Sequence, residues 1–140
     1  MNGRFFLDTN VFVYSFDESV PPKARRARQL IRQAVETGQG VVSFQVVQEF
    51  FNVALRRFSK PMTAAEGEQY LSTVFRPLLA INSSPALYGD ALRLSERHRL
   101  SWYDSIIVAA AIQSRSNVLY SEDLRHGQLF GSLRIENPFL

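Results

Sequence analysis

Short apolar runs alternate with longer amphipathic segments along the chain, and this alternation constrains the possible fold more than any other feature. The segment 21–38 begins at two prolines and ends at Gly38, with apolar residues at helical spacing between them. Similar spacing predicts further helices over 44–58, 63–75, 85–99 and 102–115. The apolar runs predict strands at RFFL (4–7), VVS (41–43), LLAI (78–81) and VLYS (118–121), with a weaker one at RIENPF (134–139). Strands that alternate with helices favour an α/β domain with a central parallel sheet of four or five strands flanked by helices.

The composition of the 140-residue chain fits a globular protein that forms one domain over residues 1–140. Hydrophobic residues make up 46% of the chain and charged residues 21%, which argues against disorder. There are no cysteines, so disulfides and thiolate zinc sites are excluded. Asp8 interrupts the first apolar run, which therefore does not form the core of a signal peptide, and no run is long enough to span a bilayer. We therefore expect a cytoplasmic protein without a membrane segment.

The basic residues are nearly all arginines. Lys and Arg total 16, and only Lys23 and Lys60 are lysines, which leaves fourteen arginines in a chain of net charge +3. The planar guanidinium group suits phosphate, so this bias is compatible with a nucleic-acid partner, although codon usage in a G+C-rich genome explains it equally well. The candidates for phosphate contact on the predicted helices are Arg25, Arg26, Arg28, Arg56, Arg57 and Arg99.

Four carboxylates occupy positions that the predicted sheet brings to one edge. Asp8 and Asp123 come shortly after predicted strands, at the ends where parallel sheets bind ligands. Asp104 opens the helix that precedes the strand at 118–121. Glu49 lies within the apolar stripe of its own helix, where an uncompensated charge costs free energy. The four side chains are therefore candidates for one acidic site.

Each of these carboxylates also has a purely structural explanation. Asp8 can cap the helix that follows it, and Asp104 stands three residues after Ser101, which is the spacing of a capping box. Asp123 can stabilise the positive end of a short helix. Glu49 lies too deep in its helix to cap it, so its structural explanation is the weakest. Taken one at a time, the residues leave both interpretations open.

The type of ligand favours a particular class of metal ion. Carboxylates gathered in one site repel each other, and their protonation rises unless a cation is shared among them. Oxygen ligands without cysteine or paired histidine suit a hard ion. The four acids together therefore predict a site for Mg²⁺, with Mn²⁺ as a substitute.

At this point the residues show a resemblance to a known family. The segments LDTNVFVYSFD, VSFQVVQEFFNV, LSWYDSIIVAAA and LYSEDLRHGQ, with a closing NPF, resemble PIN-domain ribonucleases of the VapC toxin type and follow each other in the expected order. They run from near residue 4 to the end of the chain. The departures are small, with Tyr103 where Trp is common and Ser105 where Ala is common, and neither replaces an acid.

The resemblance implies a fold, an activity, partners and a residue set. It implies a PIN-like domain that hydrolyses RNA phosphodiester bonds with Mg²⁺, as the toxin of a bacterial toxin–antitoxin pair, with structured RNA such as tRNA as the favoured substrate. A cognate antitoxin protein and a homodimer are expected as partners. The catalytic and metal-binding residues carried over are Asp8, Glu49, Asp104 and Asp123, with Asn10 and Ser121 as supporting polar groups.

Other classes of protein place an Asp after a first buried strand. Phosphatases of the haloacid dehalogenase type and receiver domains both require a lysine after a late strand, and neither Lys23 nor Lys60 has that position. A non-catalytic PIN-like module that binds RNA or a protein partner is the remaining alternative. An activity assay with added metal distinguishes it from a nuclease.

Overall fold

The central sheet contains six strands, as seen in a computed structural model that describes residues 3–140. The strands are β1 (Arg4–Leu7), β2 (Gly40–Ser43), β3 (Leu79–Ile81), β4 (Ser116–Tyr120), β5 (Leu129–Phe130) and β6 (Leu133–Glu136). Their order across the sheet is β3-β2-β1-β4-β6-β5, and all neighbours are parallel except the β5–β6 pair. The predicted α/β fold with a central parallel sheet is confirmed, although the sheet has six strands instead of the predicted four or five. The antiparallel strand β5 was not predicted, because two residues leave no recognisable pattern.

Seven helices flank this sheet within residues 3–140. They are α1 (Thr9–Tyr14), α2 (Pro21–Thr37), α3 (Phe44–Ala54), α4 (Ala64–Tyr70), α5 (Arg76–Leu78), α6 (Pro85–His98) and α7 (Trp102–Gln113). A π-helical segment, Leu71–Phe75, joins α4 to α5. None of the helices in this part of the chain is both long and apolar enough to cross a membrane.

Helix α3 is shorter than predicted. The apolar spacing predicts a helix to residue 58, but α3 ends at Ala54. The chain then turns back, and the backbone N–H of Met62 donates to the carbonyl of Ala54 at 2.9 Å. This turn packs Phe58 and Met62 against the core, so tertiary packing ends the helix although its apolar pattern continues.

An aromatic cluster around Phe50 fills the core beside α3. The Phe50 ring is fully buried and stacks on Tyr70, with ring centroids 5.0 Å apart. It also packs edge-on against Phe51 and Phe75, at 5.3 Å in both cases. The aromatic side chains of α3 therefore contribute to the core of the domain.

Gly40 allows β2 to pack closely on α2. A Cβ atom at this position would lie 2.1 Å from the Ala34 Cβ, well inside van der Waals contact. We expect Gly40→Ala to lower the free energy of unfolding by about 1–3 kcal/mol, the usual cost of overpacking a core. Urea unfolding measures this change. Gly89→Ala is the matched control, because its new Cβ finds only the Arg93 side chain, 3.7 Å away. Equal loss in both variants would contradict this account of Gly40.

Candidate active site

The candidate site lies where the carboxyl ends of β1 and β4 meet. From β1 the chain continues to β2, which lies on one side of β1, while β4 lies on the other side. The carboxyl end of β1 is therefore a switch point of the sheet, and ligand sites form at such points in α/β folds. Asp8 follows the last residue of β1, and its backbone N–H donates to the carbonyl of Tyr120, the last residue of β4, at 3.0 Å. The turn that carries Ser121 and Asp123 therefore begins next to Asp8.

Asp8 both ends a strand and caps a helix. Its Oδ1 accepts a hydrogen bond from the backbone N–H of Thr9 at 2.7 Å, which caps α1. Its Oδ2 accepts a hydrogen bond from the Ser121 hydroxyl at 2.8 Å. The two interpretations of Asp8 left open by the sequence are therefore not alternatives, because one carboxylate serves the helix and faces the site.

Burial raises the pKa of Asp8 from 3.8 to about 6. The residue is only 7% exposed, and loss of hydration disfavours the charged carboxylate. The hydrogen bonds from Ser121 and Thr9 oppose this rise, and the charges of Asp123 and Glu49 add to it. Asp8 is thus a buried carboxylate within the electrostatic range of two other acids.

Glu49 is held by two residues that sequence reasoning did not select. The Thr9 hydroxyl donates to Glu49 Oε1 at 2.6 Å, and the Gln45 amide donates to Glu49 Oε2 at 3.1 Å. The same amide nitrogen of Gln45 donates to the backbone carbonyl of Tyr103 at 3.2 Å, which ties α3 to the first turn of α7. The spacing of Gln45 and Glu49, four residues apart on one helix face, is the signal that would have found this pair.

Asp104 lies in the first turn of α7, where only half of a capping box forms. The Ser101 hydroxyl accepts a hydrogen bond from the backbone N–H of Asp104 at 3.2 Å. At the start of α4, by contrast, Thr63 and Glu66 form both hydrogen bonds of a complete box. Within residues 3–140, the Asp104 carboxylate makes no such return bond, so the capping explanation accounts for Ser101 but leaves the Asp104 carboxylate free for another role.

Asp123 completes the group that we call the acidic cluster, which consists of Asp8, Glu49, Asp104 and Asp123. The Asn10 amide donates to Asp123 Oδ2 at 3.0 Å. Partial desolvation raises the pKa of Asp123, and the charges of Asp104, Glu122 and Glu49 raise it further, against the effect of the Asn10 bond. The structure therefore brings Asp8 and Asp123 within electrostatic range of each other and of Glu49, and Asp123 within range of Asp104.

Glu122, which directly precedes Asp123, does not belong to the acidic cluster because it pairs with Lys23. The Lys23 ammonium lies 2.5 Å from Glu122 Oε2, and the Tyr14 hydroxyl also donates to the Glu122 carboxylate. Partial burial alone would raise the pKa of Glu122, but the hydrogen bonds from Lys23 and Tyr14 hold it below its usual value. Glu122 has its own cation, whereas the acidic cluster has none among residues 3–140.

The donor atoms of the acidic cluster fit a hard cation, but the side chains are not arranged around one. Within residues 3–140, no group of three acidic, histidine or cysteine side chains is arranged to hold a metal ion as it stands. Hydrogen bonds from Thr9, Ser121 and Asn10 turn the carboxylates toward their protein neighbours. The oxygen-only donor set fits a shared hard cation, which would compensate the repulsion among the carboxylates.

The supporting residues and the arginines differ in what they contact. Asn10 and Ser121 each donate to an acid of the cluster, as described above. Arg26 and Arg28 donate to the backbone carbonyls of Pro138 and Ser15, so both side chains stabilise the fold. The exposed members of the predicted set are Arg25, Arg28, Arg56, Arg57 and Arg99.

Ser121 is expected to control the pKa of Asp8. Its hydrogen bond stabilises the charged form of Asp8, so Ser121→Ala should raise that pKa by about one unit, the equivalent of a charge-assisted hydrogen bond of about 1.4 kcal/mol or more. Carbon-detected NMR titration of the Asp8 carboxyl measures the change. Ser114→Ala is the control, since the Ser114 hydroxyl donates to the carbonyl of Ala111 instead. An unchanged Asp8 pKa in Ser121→Ala would show that the Ser121 hydroxyl does not stabilise the charged form of Asp8.

The fold and the acidic edge together define an α/β domain with a carboxylate site at its switch point. The PIN domain family model matches residues 5–129, and the chain belongs to this family. No curated protein sequence gave a significant match.

Solved structures of toxin–antitoxin proteins share the fold of this chain. A toxin–antitoxin complex from Klebsiella pneumoniae aligns with a TM-score of 0.66 at 20% identity, covering 95% of this chain and 96% of that one. A sarcin–ricin-loop-cleaving VapC toxin of Mycobacterium tuberculosis aligns with a TM-score of 0.63 at 20% identity, covering 85% and 89%. FitAB bound to a DNA fragment gives a TM-score of 0.68 at 22% identity, covering 97% and 96%.

Proposed function

We propose that this PIN-domain protein is a metal-dependent endoribonuclease that hydrolyses phosphodiester bonds in RNA. The observation that carries the proposal is the acidic cluster, in which Asp8 and Asp123 each lie within electrostatic range of other carboxylates at the switch point of the sheet. Such a site needs a cation to stabilise it, and phosphodiester hydrolysis is the chemistry that a hard cation in an oxygen-ligand site supports.

The residues of the cluster have distinct roles in this proposal. Asp8, Asp104 and Asp123 hold Mg²⁺, or Mn²⁺ in its place, directly or through waters. Glu49, fixed by Thr9 and Gln45, ligates the metal or accepts a hydrogen bond from the attacking water. The bound ion, when present, stabilises the charge that develops on the attacking and leaving oxygens.

The proposed biological role is that of a toxin in a toxin–antitoxin pair acting in the cytoplasm. The resemblance of the sequence motifs to VapC toxins supports this role, and so does the fold shared with a toxin–antitoxin complex and with a VapC toxin. Its partners are an RNA substrate, a cognate antitoxin protein that blocks the acidic cluster, and a second copy of the chain. The resemblance favours structured RNA such as tRNA as the substrate. Light scattering at micromolar concentration tests the homodimer, and co-purification with the product of an adjacent small gene tests the antitoxin.

The nuclease activity itself is tested with purified protein and RNA. We expect cleavage with Mg²⁺ or Mn²⁺ and none with EDTA, because removing the cation leaves the carboxylates uncompensated. Sequencing of the fragment ends identifies the bond that is cut. Binding of RNA without cleavage in the presence of either metal would instead indicate a non-catalytic PIN-like module.

A further inference from the structure

An aromatic pocket opens beside the acidic cluster. It has a volume of about 400 Å³, within the range of small-molecule sites. Its lining consists of Phe44, Gln45, Gln48, Tyr88, Trp102, Tyr103 and Ile106. None of these side chains carries a charge, so the pocket is chemically distinct from the acidic cluster next to it.

The pocket and the acidic cluster share a wall. Gln45 lines the pocket and also donates to Glu49 Oε2 at 3.1 Å. Tyr103 lines the pocket and directly precedes Asp104, and its backbone carbonyl accepts the second hydrogen bond of the Gln45 amide. A group bound in the pocket therefore lies next to a group bound at the acids.

The aromatic side chains of the pocket are more exposed than core packing requires. Tyr103 is 65% exposed, Trp102 38% and Tyr88 37%. The Tyr88 and Trp102 rings are inclined by only 26°, with centroids 6.1 Å apart, so they form a stacked aromatic pair at the pocket. Exposed aromatic faces of this kind are the surfaces on which proteins stack unpaired nucleobases.

We propose that the aromatic pocket is a nucleobase subsite, which binds one unpaired base of RNA next to the phosphate at the acidic cluster. This inference rests on the nuclease function proposed above and identifies where one base of the substrate binds. An uncharged aromatic lining suits a neutral base better than a phosphate, because it contains no cation. The exposed amide of Gln48 adds one donor and one acceptor for the edge of the base.

Arg99 is a candidate for contact with the RNA backbone near the aromatic pocket. Arg99 is exposed and lies three residues before Trp102, in the loop between α6 and α7. A guanidinium at this position suits a neighbouring phosphate of the same RNA strand.

Trp102 is the single tryptophan of the chain and reports directly on the pocket. We expect a short unpaired RNA oligonucleotide to quench its fluorescence in a saturable way in the full-length Asp8→Asn variant, which prevents cleavage during titration. A fully abasic oligonucleotide of the same length should produce no comparable quenching. Tyr103→Ala should weaken RNA binding about tenfold or more, since stacking on one aromatic ring contributes about this much.

Two further variants distinguish a loss of base stacking from a loss of folding. Tyr103→Phe keeps the ring and should keep the affinity for RNA, while Leu129→Ala, an exposed apolar residue on β5, should change nothing. Circular dichroism checks that each variant is folded. Loss of affinity in Tyr103→Phe equal to that in Tyr103→Ala would overturn a stacking role.

The outcomes also separate this inference from the proposed function. Cleavage by the wild-type protein without any quenching by RNA would overturn the subsite and leave the nuclease intact. Quenching by RNA without cleavage would support base binding and reject the nuclease. A third outcome would overturn the subsite. If the Trp102 emission maximum shifts with protein concentration but not with RNA, and if Tyr103→Ala disrupts a dimer in ultracentrifugation, the pocket is instead an interface between copies of the chain.

Discussion

Asp8→Asn is expected to cleave RNA at least about a hundredfold more slowly than the wild-type protein. This factor corresponds to a loss of about 2.7 kcal/mol in transition-state stabilisation. Asn has nearly the same shape as Asp, its oxygen can still accept from the Thr9 N–H, and its amide can donate to the Ser121 hydroxyl, so the fold around α1 should persist. What the substitution removes is the negative charge that holds a cation at the end of β1. Initial rates on one RNA substrate with saturating Mg²⁺ measure the effect.

Asp90→Asn is the matched control for this experiment. Asp90 is exposed on α6, outside the acidic cluster, and forms a surface ion pair with Arg93. The control removes the same charge from the same kind of side chain, so its cleavage rate should equal that of the wild type. Asp104→Asn should behave like Asp8→Asn. Wild-type rates in both Asp8→Asn and Asp104→Asn would show that the acidic cluster is not the site of cleavage.

Most of the fold could be predicted from the sequence because apolar patterning determines it. Each of the four main predicted strands overlaps a strand of the sheet, since a buried parallel strand must be apolar on both faces. The π-helical segment Leu71–Phe75 could not be predicted, because its apolar spacing differs little from that of an α-helix. Pro77, which has no N–H to donate to the preceding turn, is a local reason for the irregular backbone there.

The positions of the acids could be predicted, but not the contacts that orient them. Strand order puts Asp8 and Asp123 at one edge, and this follows from topology alone. The bond from Thr9 to Glu49 joins residues 40 positions apart, and it depends on how α1 packs against α3. The aromatic pocket was also missed, because the exposure of Trp102 and Tyr103 depends on where α7 begins relative to α3 and α6.

The acidic cluster should make the metal-free protein less stable at high pH. The pKa of Asp8 is 3.8 before burial and about 6 in the folded protein, so the folded state binds a proton more tightly than the unfolded state. The stability contributed by this protonation is complete below pH 3.8 and is lost as the pH rises through 6. The full difference of about two pKa units corresponds to about 3 kcal/mol. Asp123, whose pKa is also raised, acts in the same direction.

Asp8→Asn should therefore be more stable than the wild-type protein at pH 8 in EDTA, by up to about 3 kcal/mol, with the difference vanishing toward pH 4. Urea unfolding of both proteins across this range measures it, and subtracting the two curves removes the opposing contributions of acids whose pKa is lowered, such as Glu122. Mg²⁺ at ten times its Kd should stabilise the wild type by about 1.4 kcal/mol and Asp8→Asn by much less. Asp90→Asn should follow the wild type in both respects. A variant that is less stable than the wild type at every pH, with an unchanged response to Mg²⁺, would mean that Asp8 serves only as the cap of α1.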